Sequence, residues 1–597
     1  MKNTKRVPAF LLAVAMTLSL VACGTTDPVS SQPPEPQEKT PAYSTADFQT
    51  VDADGNRITT GRDAEGATAM VSASKYEVSQ VGAEIIAKGG NAIDAAVAMG
   101  FAIGVCEPFT NGVGGGGLAT VRTADGNTYF VDFREVAPSQ AHSKMYLDEK
   151  GEPIPNGTTL GGLASAIPGD VAGLLYMLEH YGTMSRAEVL EPAIRIASEG
   201  FNVTEYCANA ISDAYEKAVQ FPEMQQVYWN KDGLPYEVGN VIANPDLAKT
   251  LQLIADKGAD GFYKGEVAQA MVDTVNKYGG IFTMEDLANY KVNVYTPVSG
   301  TYRGYEIISS PPPSSGGTHL IEILNILENF DVGAMDINST EYVHLWAETY
   351  KLAYADRAQY MADTQFKEVP LGGLSSKEYA KTRADLIDSK KAAEDVTFAD
   401  PWQFEHTDTT HFSIADAEGN CVAITKTINY YFGSGVMVGG YGFMMNNEMD
   451  DFSTDPASVN CVEPGKKPLS SMSPSIVLKD GKPYMVLGTP GGSRIFATVA
   501  QVLSRVIDHG LPVHDAISVP RIWNTSSKDS ITYEKPLKGY EKYAISDETL
   551  AELIAMGHAE PKTAASGSVQ AILYQDNGKL YGTADPRQDG KAVGYSR

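Results

Sequence analysis

A threonine hydroxyl becomes a useful nucleophile only when a base stands beside it. The sequence presents one threonine for which such a base can be made, in D-T-T-H-F-S, Asp408 to Ser413. The stretch from Ala384 to Asp408 is charged and weakly periodic, and reads as an exposed segment that tolerates cutting. It ends where Thr409 opens an alternating, strand-like run. Cutting the bond between Asp408 and Thr409 gives Thr409 its own α-amine, a base with a pKa of about 7.7–8.0. A strand start holds that amine and the hydroxyl on a rigid element.

Four later stretches offer parts for the same chemistry. P-L-S-S-M-S-P places the hydroxyls of Ser470 and Ser471 between residues that restrict the backbone. T-P-G-G-S-R brings the adjacent amides of Gly491 and Gly492, which no side chain screens, a form suited to an oxyanion hole. N-N-E-M-D-D-F, Asn446 to Phe452, clusters carboxylates, a natural receptor for an ammonium, and D-F-R-E-V-A-P holds Arg134, whose planar fork fits a carboxylate. Each stretch alone is more often a turn or a surface feature.

Other chemistries find no support. The sequence has no G-x-S-x-G and no H-E-x-x-H. His344 and Glu348 lie four apart on a predicted helix with no third ligand nearby, so packing and capping read better than a metal site. N-G-V-G-G-G-G lacks the P-loop lysine and reads as close backbone approach between layers. No metal or organic cofactor is expected.

The elements that must position these residues are legible. A-T-A-M-V-S-A-S reads as a strand, and K-Y-E-V-S-Q-V-G-A-E-I-I-A-K as a helix stopped by Gly89-Gly90. Asn91 to Val105 is apolar nearly all round and predicts a helix buried between layers. Three hairpins are expected around A-E-G-N, K-D-G-K and Q-D-N-G-K. The middle, Pro168 to Ala288, is mostly helical. Ser339 caps a predicted amphipathic helix. Strand-rich ends around a helical middle predict sheets and helices in layers. At 597 residues the chain has enough for two to four domains' worth of packing.

The N-terminus reads as an export signal. Lys2, Lys5 and Arg6 precede an uncharged run, Val7 to Ala22, too short to span a membrane. It ends in L-V-A-C, whose Cys23 resembles the lipidated cysteine of a bacterial lipoprotein; a plain secretory signal is the alternative. Residues 24–66, rich in Pro, Ser, Thr and Gln, read as a disordered tether. No membrane span is expected in the mature protein. A formal net charge of −27 disfavours nucleic acid, whose binding is driven by cationic contacts to phosphate. Cys106, Cys207, Cys421 and Cys461 lack a C-x-x-C pair and read as scattered buried thiols, with one disulfide left open.

Taken together, T-T-H-F-S, T-I-N, N-N-E-M-D-D-F, P-L-S-S-M-S-P, T-P-G-G-S-R, G-V-G-G-G-G with D-F-R-E-V-A-P, and P-P-P-S-S-G-G resemble the γ-glutamyltranspeptidase family of N-terminal-nucleophile hydrolases. The resemblance runs from about Ala67 to Arg597. It implies an α+β fold, a four-layer αββα sandwich, made as one precursor that cuts itself between Asp408 and Thr409. The products would be a large subunit, residues 67–408, and a small catalytic one, residues 409–597, held as a heterodimer. By the same resemblance Thr409 is the nucleophile and Thr427 hydrogen-bonds it. Arg134, Ser470 and Ser471 hold a glutamyl α-carboxylate, Asn429, Glu448 and Asp451 its α-amine, and Gly491 and Gly492 form the oxyanion hole.

The implied activity is cleavage of γ-glutamyl amides such as glutathione, with transfer to water, an amino acid or a peptide. Only T-D-P-A-S-V-N-C-V-E-P-G-K-K separates D-D-F-S from P-L-S-S-M, so the chain is similar to the lid-less members. An open cleft admits larger donors, which keeps a poly-γ-glutamate transpeptidase or an acylase of the same fold as alternatives. A non-catalytic solute-binding lipoprotein is the alternative from another class. The expected location is outside the cytoplasm, on a bacterial membrane through the lipid.

Overall fold

The computed structural model describes residues 41–396, 409–526, 529–565 and 567–597. Cys23, Asp408 and the expected signal segment lie outside these residues. Two seven-stranded antiparallel sheets carry the architecture. One runs in the order Asp63–Gly66, Leu580–Ala584, Gln570–Tyr574, Lys482–Gly488, Ser475–Lys479, Tyr305–Ser309, Val298–Tyr302. The other runs Val593–Tyr595, Ala69–Ala73, Thr409–Asp416, Cys421–Thr427, Gly116–Arg122, Thr128–Phe133, Asn293–Tyr295. Both sheets contain strands from before and after Thr409 hydrogen-bonded side by side, so the two segments are interleaved. The three expected hairpins are present.

Side-chain alternation explains the layers. In the strand Thr409–Asp416, Phe412 and Ile414 join an apolar cluster with the helices Tyr76–Ala87, Ala92–Cys106, Asp170–Tyr181 and Arg186–Glu199. Ala415 faces the other way, into a thin layer between the sheets with Met70, Ala423, Ile476, Val486 and Ile572. On the far side Val477, Met485 and Leu487 pack against the helices Gly316–Leu327, Thr340–Tyr360 and Ile495–Ile507. The result is helix, sheet, sheet, helix, the expected four-layer sandwich.

Several expectations change. From Thr40 the chain forms one unit, built on several apolar clusters rather than on two to four domains. The expected tether is structured from residue 41: Val51 bridges Arg57, and Asp63–Gly66 pairs with Leu580–Ala584. Polar anchors replace apolar ones there. Arg62 is fully buried and donates to the carbonyls of Ile58, Gln588 and Gly590. The helix Thr340–Tyr360, capped by Ser339, is not amphipathic, for every residue from Tyr342 to Arg357 is buried. Its charged residues find partners between packed layers instead of facing water.

The segment before Asp408 is also partly tied down. Asp388 O bonds His344 Nε2 at 2.7 Å, Ala393 N donates to Glu348 Oε2 at 3.1 Å, and Ala392 N donates to Met556 O at 2.8 Å. Cys106, Cys207, Cys421 and Cys461 are free and buried.

Candidate active site

Antiparallel register sets Thr409 directly opposite Thr427, and Thr427 opposite Gly116. Thr409 Oγ1 donates to Thr427 Oγ1 at 3.4 Å, and Asn429 N donates to the same Thr427 oxygen at 2.8 Å. The glycine run permits this approach. A Cβ at Gly115 would stand 2.1 Å from Thr427 O, and one at Gly114 2.1 Å from Met444 O. N-G-V-G-G-G-G therefore serves close packing, as its composition predicts.

Thr409 opens into a small cavity lined by Arg134, Arg357, Thr427, Asn429, Glu448, Asp451, Ser470, Ser471 and Gly492, among others. Of the residues singled out from sequence and described here, all but Gly491 line this one space. Gly491 adjoins it at φ +137°, followed by Gly492 at φ +57°. Both values lie in the left-handed region, which glycine enters without strain.

Each wall has a local cause. Asn429 leaves its strand at φ +73°, a conformation Asn tolerates, and its Nδ2 donates to Asn447 O. Its Oδ1 is buried with no hydrogen-bond partner among the described residues. Glu448 begins a short 3-10 turn held by Asn446, whose side chain accepts from Glu448 N and donates to Gly114 O and Ala166 O. Glu448 Oε1 pairs with Arg134 Nη1, while Glu448 Oε2 is buried with no hydrogen-bond partner among the described residues. Two buried acceptors thus line the same cavity.

Arg134 follows the strand Thr128–Phe133. Its Nη2 pairs with Asp451 and donates to Leu469 O, and its Nε donates to Pro468 O at 2.8 Å. Burial disfavours its charge, but Glu448 and then Asp451 outweigh this and hold its pKa above the ordinary arginine value. Burial raises the Glu448 pKa, and Arg134 opposes that rise. The expected division, with Arg134 for a carboxylate and Glu448 and Asp451 for an amine, meets a structure in which these three pair with one another.

Three further residues complete the picture. His411, the histidine of T-T-H, bonds Thr425 Oγ1 at 2.9 Å and Ser413 Oγ at 3.1 Å, away from Thr409. Burial lowers its pKa to about 3, so it is neutral and fixes the strand. Arg357 was not singled out from sequence. It sits near the end of a buried helix, and donates to Ser471 Oγ at 2.9 Å and Ser315 Oγ at 2.8 Å. Its sequence neighbourhood gave no signal that set it apart from the other charged residues of that helix, Glu348, Lys351 and Asp356. His558 is the third partner that sequence separation hid from His344 and Glu348. Ligand atoms of the three lie within 4.8 Å of one another. The Lys351 ammonium, 2.7 Å from Glu348 Oε1, already meets that carboxylate's charge, so the cluster reads as a buried hydrogen-bonded staple.

A four-layer sandwich with a threonine at the start of a central strand, facing a cavity between the sheet ends, defines an N-terminal-nucleophile hydrolase. The family model described as Gamma-glutamyltranspeptidase matches residues 78–595, and the chain belongs to that family. It is 42% identical over 539 residues to a glutathione hydrolase proenzyme of Escherichia coli K12, covering 88% of this chain and 92% of that protein. It is 39% identical to one of Bacillus subtilis 168, covering 89% and 92%. Among solved structures, a cephalosporin acylase from Bacillus halodurans aligns with a TM-score of 0.80 at 30% identity, covering 89% of this chain and 97% of that one.

Proposed function

We propose that the chain is a self-cleaving γ-glutamyltransferase and hydrolase acting on glutathione and related γ-glutamyl amides. The reading is supported by the relatives named glutathione hydrolase proenzyme. The observation that carries it is the joint placement in one cavity of Thr409 and two acceptors, Asn429 Oδ1 and Glu448 Oε2, that are unpartnered among the described residues. A γ-glutamyl group is acylated through its side chain, so its α-ammonium and α-carboxylate are free handles. The ammonium takes the acceptors of Asn429, Glu448 and Asp451. The carboxylate lies toward Arg134, Ser470 and Ser471.

Cleavage between Asp408 and Thr409 gives the large and small subunits of a heterodimer. The new Thr409 amine takes the proton from Oγ1 as Oγ1 attacks the γ-carbonyl. Thr427 orients the attacking oxygen. The amides of Gly491 and Gly492 receive the negative charge on the carbonyl oxygen. That oxygen's electrons return, the C–N bond breaks, and the amine leaves with the proton. Water or an incoming amine then resolves the γ-glutamyl ester by the same steps in reverse.

A denaturing mass spectrum of protein expressed without residues 1–23 tests this reading. Two fragments, the smaller beginning at Thr409, together with release of aniline from a γ-glutamyl anilide, are expected. A folded, intact chain without turnover would overturn it.

The likeness to a cephalosporin acylase favours a second reading, a glutaryl-type acylase. A glutaryl group has no α-ammonium and leaves Asn429 Oδ1 and Glu448 Oε2 unmet, so γ-glutamyl donors should be preferred. Faster turnover of a glutaryl amide than of the γ-glutamyl one would install the acylase. The N-terminal K-N-T-K-R, apolar run and L-V-A-C also support a lipid anchor at Cys23 and a place on the outer side of a bacterial membrane. Labelled palmitate should enter the wild-type chain, and Cys23→Ser should abolish that labelling.

A further inference from the structure

Large apolar side chains left exposed are few, and half of them fall together. Among the described residues eight are exposed, and Tyr215, Val219, Leu234 and Val238 are four of them. All four belong to one excursion, residues 203–240, which leaves and rejoins the body at the short pair Phe201–Asn202 and Val241–Ile242. Its inner side is ordinary core, for Cys207, Ile211, Phe221 and Tyr228 are buried in the cluster that also holds Phe412 and Ile414. Its outer side is not. Tyr215 and Val219 stand four apart on the helix Tyr215–Gln220, so they share a face. The Tyr215 ring stacks on Trp229 with centroids 5.1 Å apart. Trp229 bridges Pro235, and Asn230 N donates to Leu234 O at 2.7 Å, closing a tight turn that carries Leu234. Aliphatic side chains set among Tyr and Trp rings suit the boundary between a bilayer and water.

The partner follows from where the chain enters. Ala42 N donates to Gly200 O at 3.1 Å, and Asn202 Nδ2 donates to Thr45 Oγ1 at 3.1 Å. Gly239 N donates to Val203 O at 2.9 Å. The segment arriving from the N-terminus is therefore bonded to the strand at the base of the excursion, and Val238 lies at that same base. Residues 24–40 link this point to Cys23 and reach at most about 60 Å when fully extended. A lipid on Cys23 holds this end of the molecule toward the bilayer. Charge decides how the face binds. The excursion holds six Asp or Glu and two Lys, and Lys217 is committed to the carbonyls of Tyr431 and Gly433. It offers no basic cluster to anionic headgroups, so its contact rests on apolar and aromatic side chains.

We propose that residues 203–240 form a bilayer-contact face, with Tyr215, Val219, Leu234 and Val238 entering the interface of the membrane that holds the lipid at Cys23. This rests on the lipid-anchor reading above and adds an orientation to it: one outer helical layer lies on the membrane and the opposite one faces away.

The test uses the full chain, lipid-modified in a bacterial host and reconstituted into phosphatidylcholine vesicles. Leu234→Cys and, separately, Val238→Cys carry an environment-sensitive dye, the described native cysteines being buried. Both dyes should be quenched by lipid brominated along its acyl chains. A dye at Ile554→Cys, exposed on a helix of the opposite outer layer, should not be. Raising NaCl from about 0.1 M to about 1 M should leave the quenching unchanged, because no ion pair is there to be screened. Val219→Asp with Val238→Asp puts charge into the interface and should lower the quenching at Leu234→Cys several-fold, with turnover of a γ-glutamyl anilide unaltered. Equal quenching at positions 234 and 554 would overturn the proposal and leave the anchor standing. So would its absence at both 234 and 238 in chains that incorporate palmitate. A chain without residues 1–23 that dimerises, and ceases to do so on Val219→Asp with Val238→Asp, would assign the face to a second copy instead. Chains that take up no palmitate would remove the anchor reading and this orientation together.

Discussion

Thr409 and Thr427 face each other across neighbouring antiparallel strands, hydroxyl to hydroxyl at 3.4 Å, at the end of a sheet that opens into a charged cavity. The pairing is a matter of register. A slip of either strand by one residue would turn its hydroxyl to the face opposite the other's. It also joins nucleophile and ammonium site, since Thr427 accepts from the amide of Asn429.

Thr409→Ala should leave a folded, full-length, inactive chain. The methyl of alanine fits the space and only a long hydrogen bond is lost, so the melting temperature should stay within a few degrees. Thr427→Val should instead slow both cutting and turnover while allowing each to finish. Rapid, complete cutting of Thr409→Ala, read by mass spectrometry, would place the nucleophile elsewhere.

Arg134→Ala should do more than weaken donor binding. It leaves Glu448 and Asp451 as like charges in a buried site, a loss on the order of 3–5 kcal/mol. Burial already raises the Glu448 pKa, and removing the arginine raises it further. A carboxyl whose folded pKa is raised binds its proton more tightly in the folded state, so stability falls as pH rises through that range. The melting deficit of the variant should therefore be small in acid and grow toward neutral pH. A deficit independent of pH would show that the two carboxylates are not left facing each other.

Gly492→Ala should reduce kcat by about a hundredfold or more while changing KM little, the mark of a group acting on the transition state. The φ of +57° also makes alanine cost about 1–2 kcal/mol of stability. A variant that loses donor affinity with kcat intact would move Gly492 from the oxyanion site to the binding wall.

His411 predicts an acid-labile term in stability. Its folded pKa is lowered from 6.5 to about 3 by burial, so its contribution is complete above pH 6.5 and is lost as pH falls toward 3. By pH 5 about 2 kcal/mol is gone. His411→Gln lacks this term, so the gap in melting temperature between wild type and variant should narrow from pH 7 to pH 5. A constant gap would mean that His411 can take up a proton without unfolding.

Much of the site was legible one residue at a time. T-T-H-F-S, N-N-E-M-D-D-F, P-L-S-S-M-S-P and T-P-G-G-S-R carry polar types a core does not need, and the fold brings residues from each of the four to one cavity. The glycine run was legible as close packing because no other residue fits there. Residues 41–66 were misread because their order comes from buried arginine and tyrosine anchors, which leave no apolar period.

By itself the sequence determined which side chains were available, where strands and helices begin, and which threonine can acquire an amine, because those follow from local composition and period. Only the tertiary structure decided which charges meet. It paired Arg134 with Glu448 and Asp451, and set Arg357 at the cavity wall beside Ser471. It also brought His558 to His344 and Glu348. Ion pairing and desolvation depend on distances of a few ångströms between segments hundreds of residues apart, and sequence spacing carries no record of those distances.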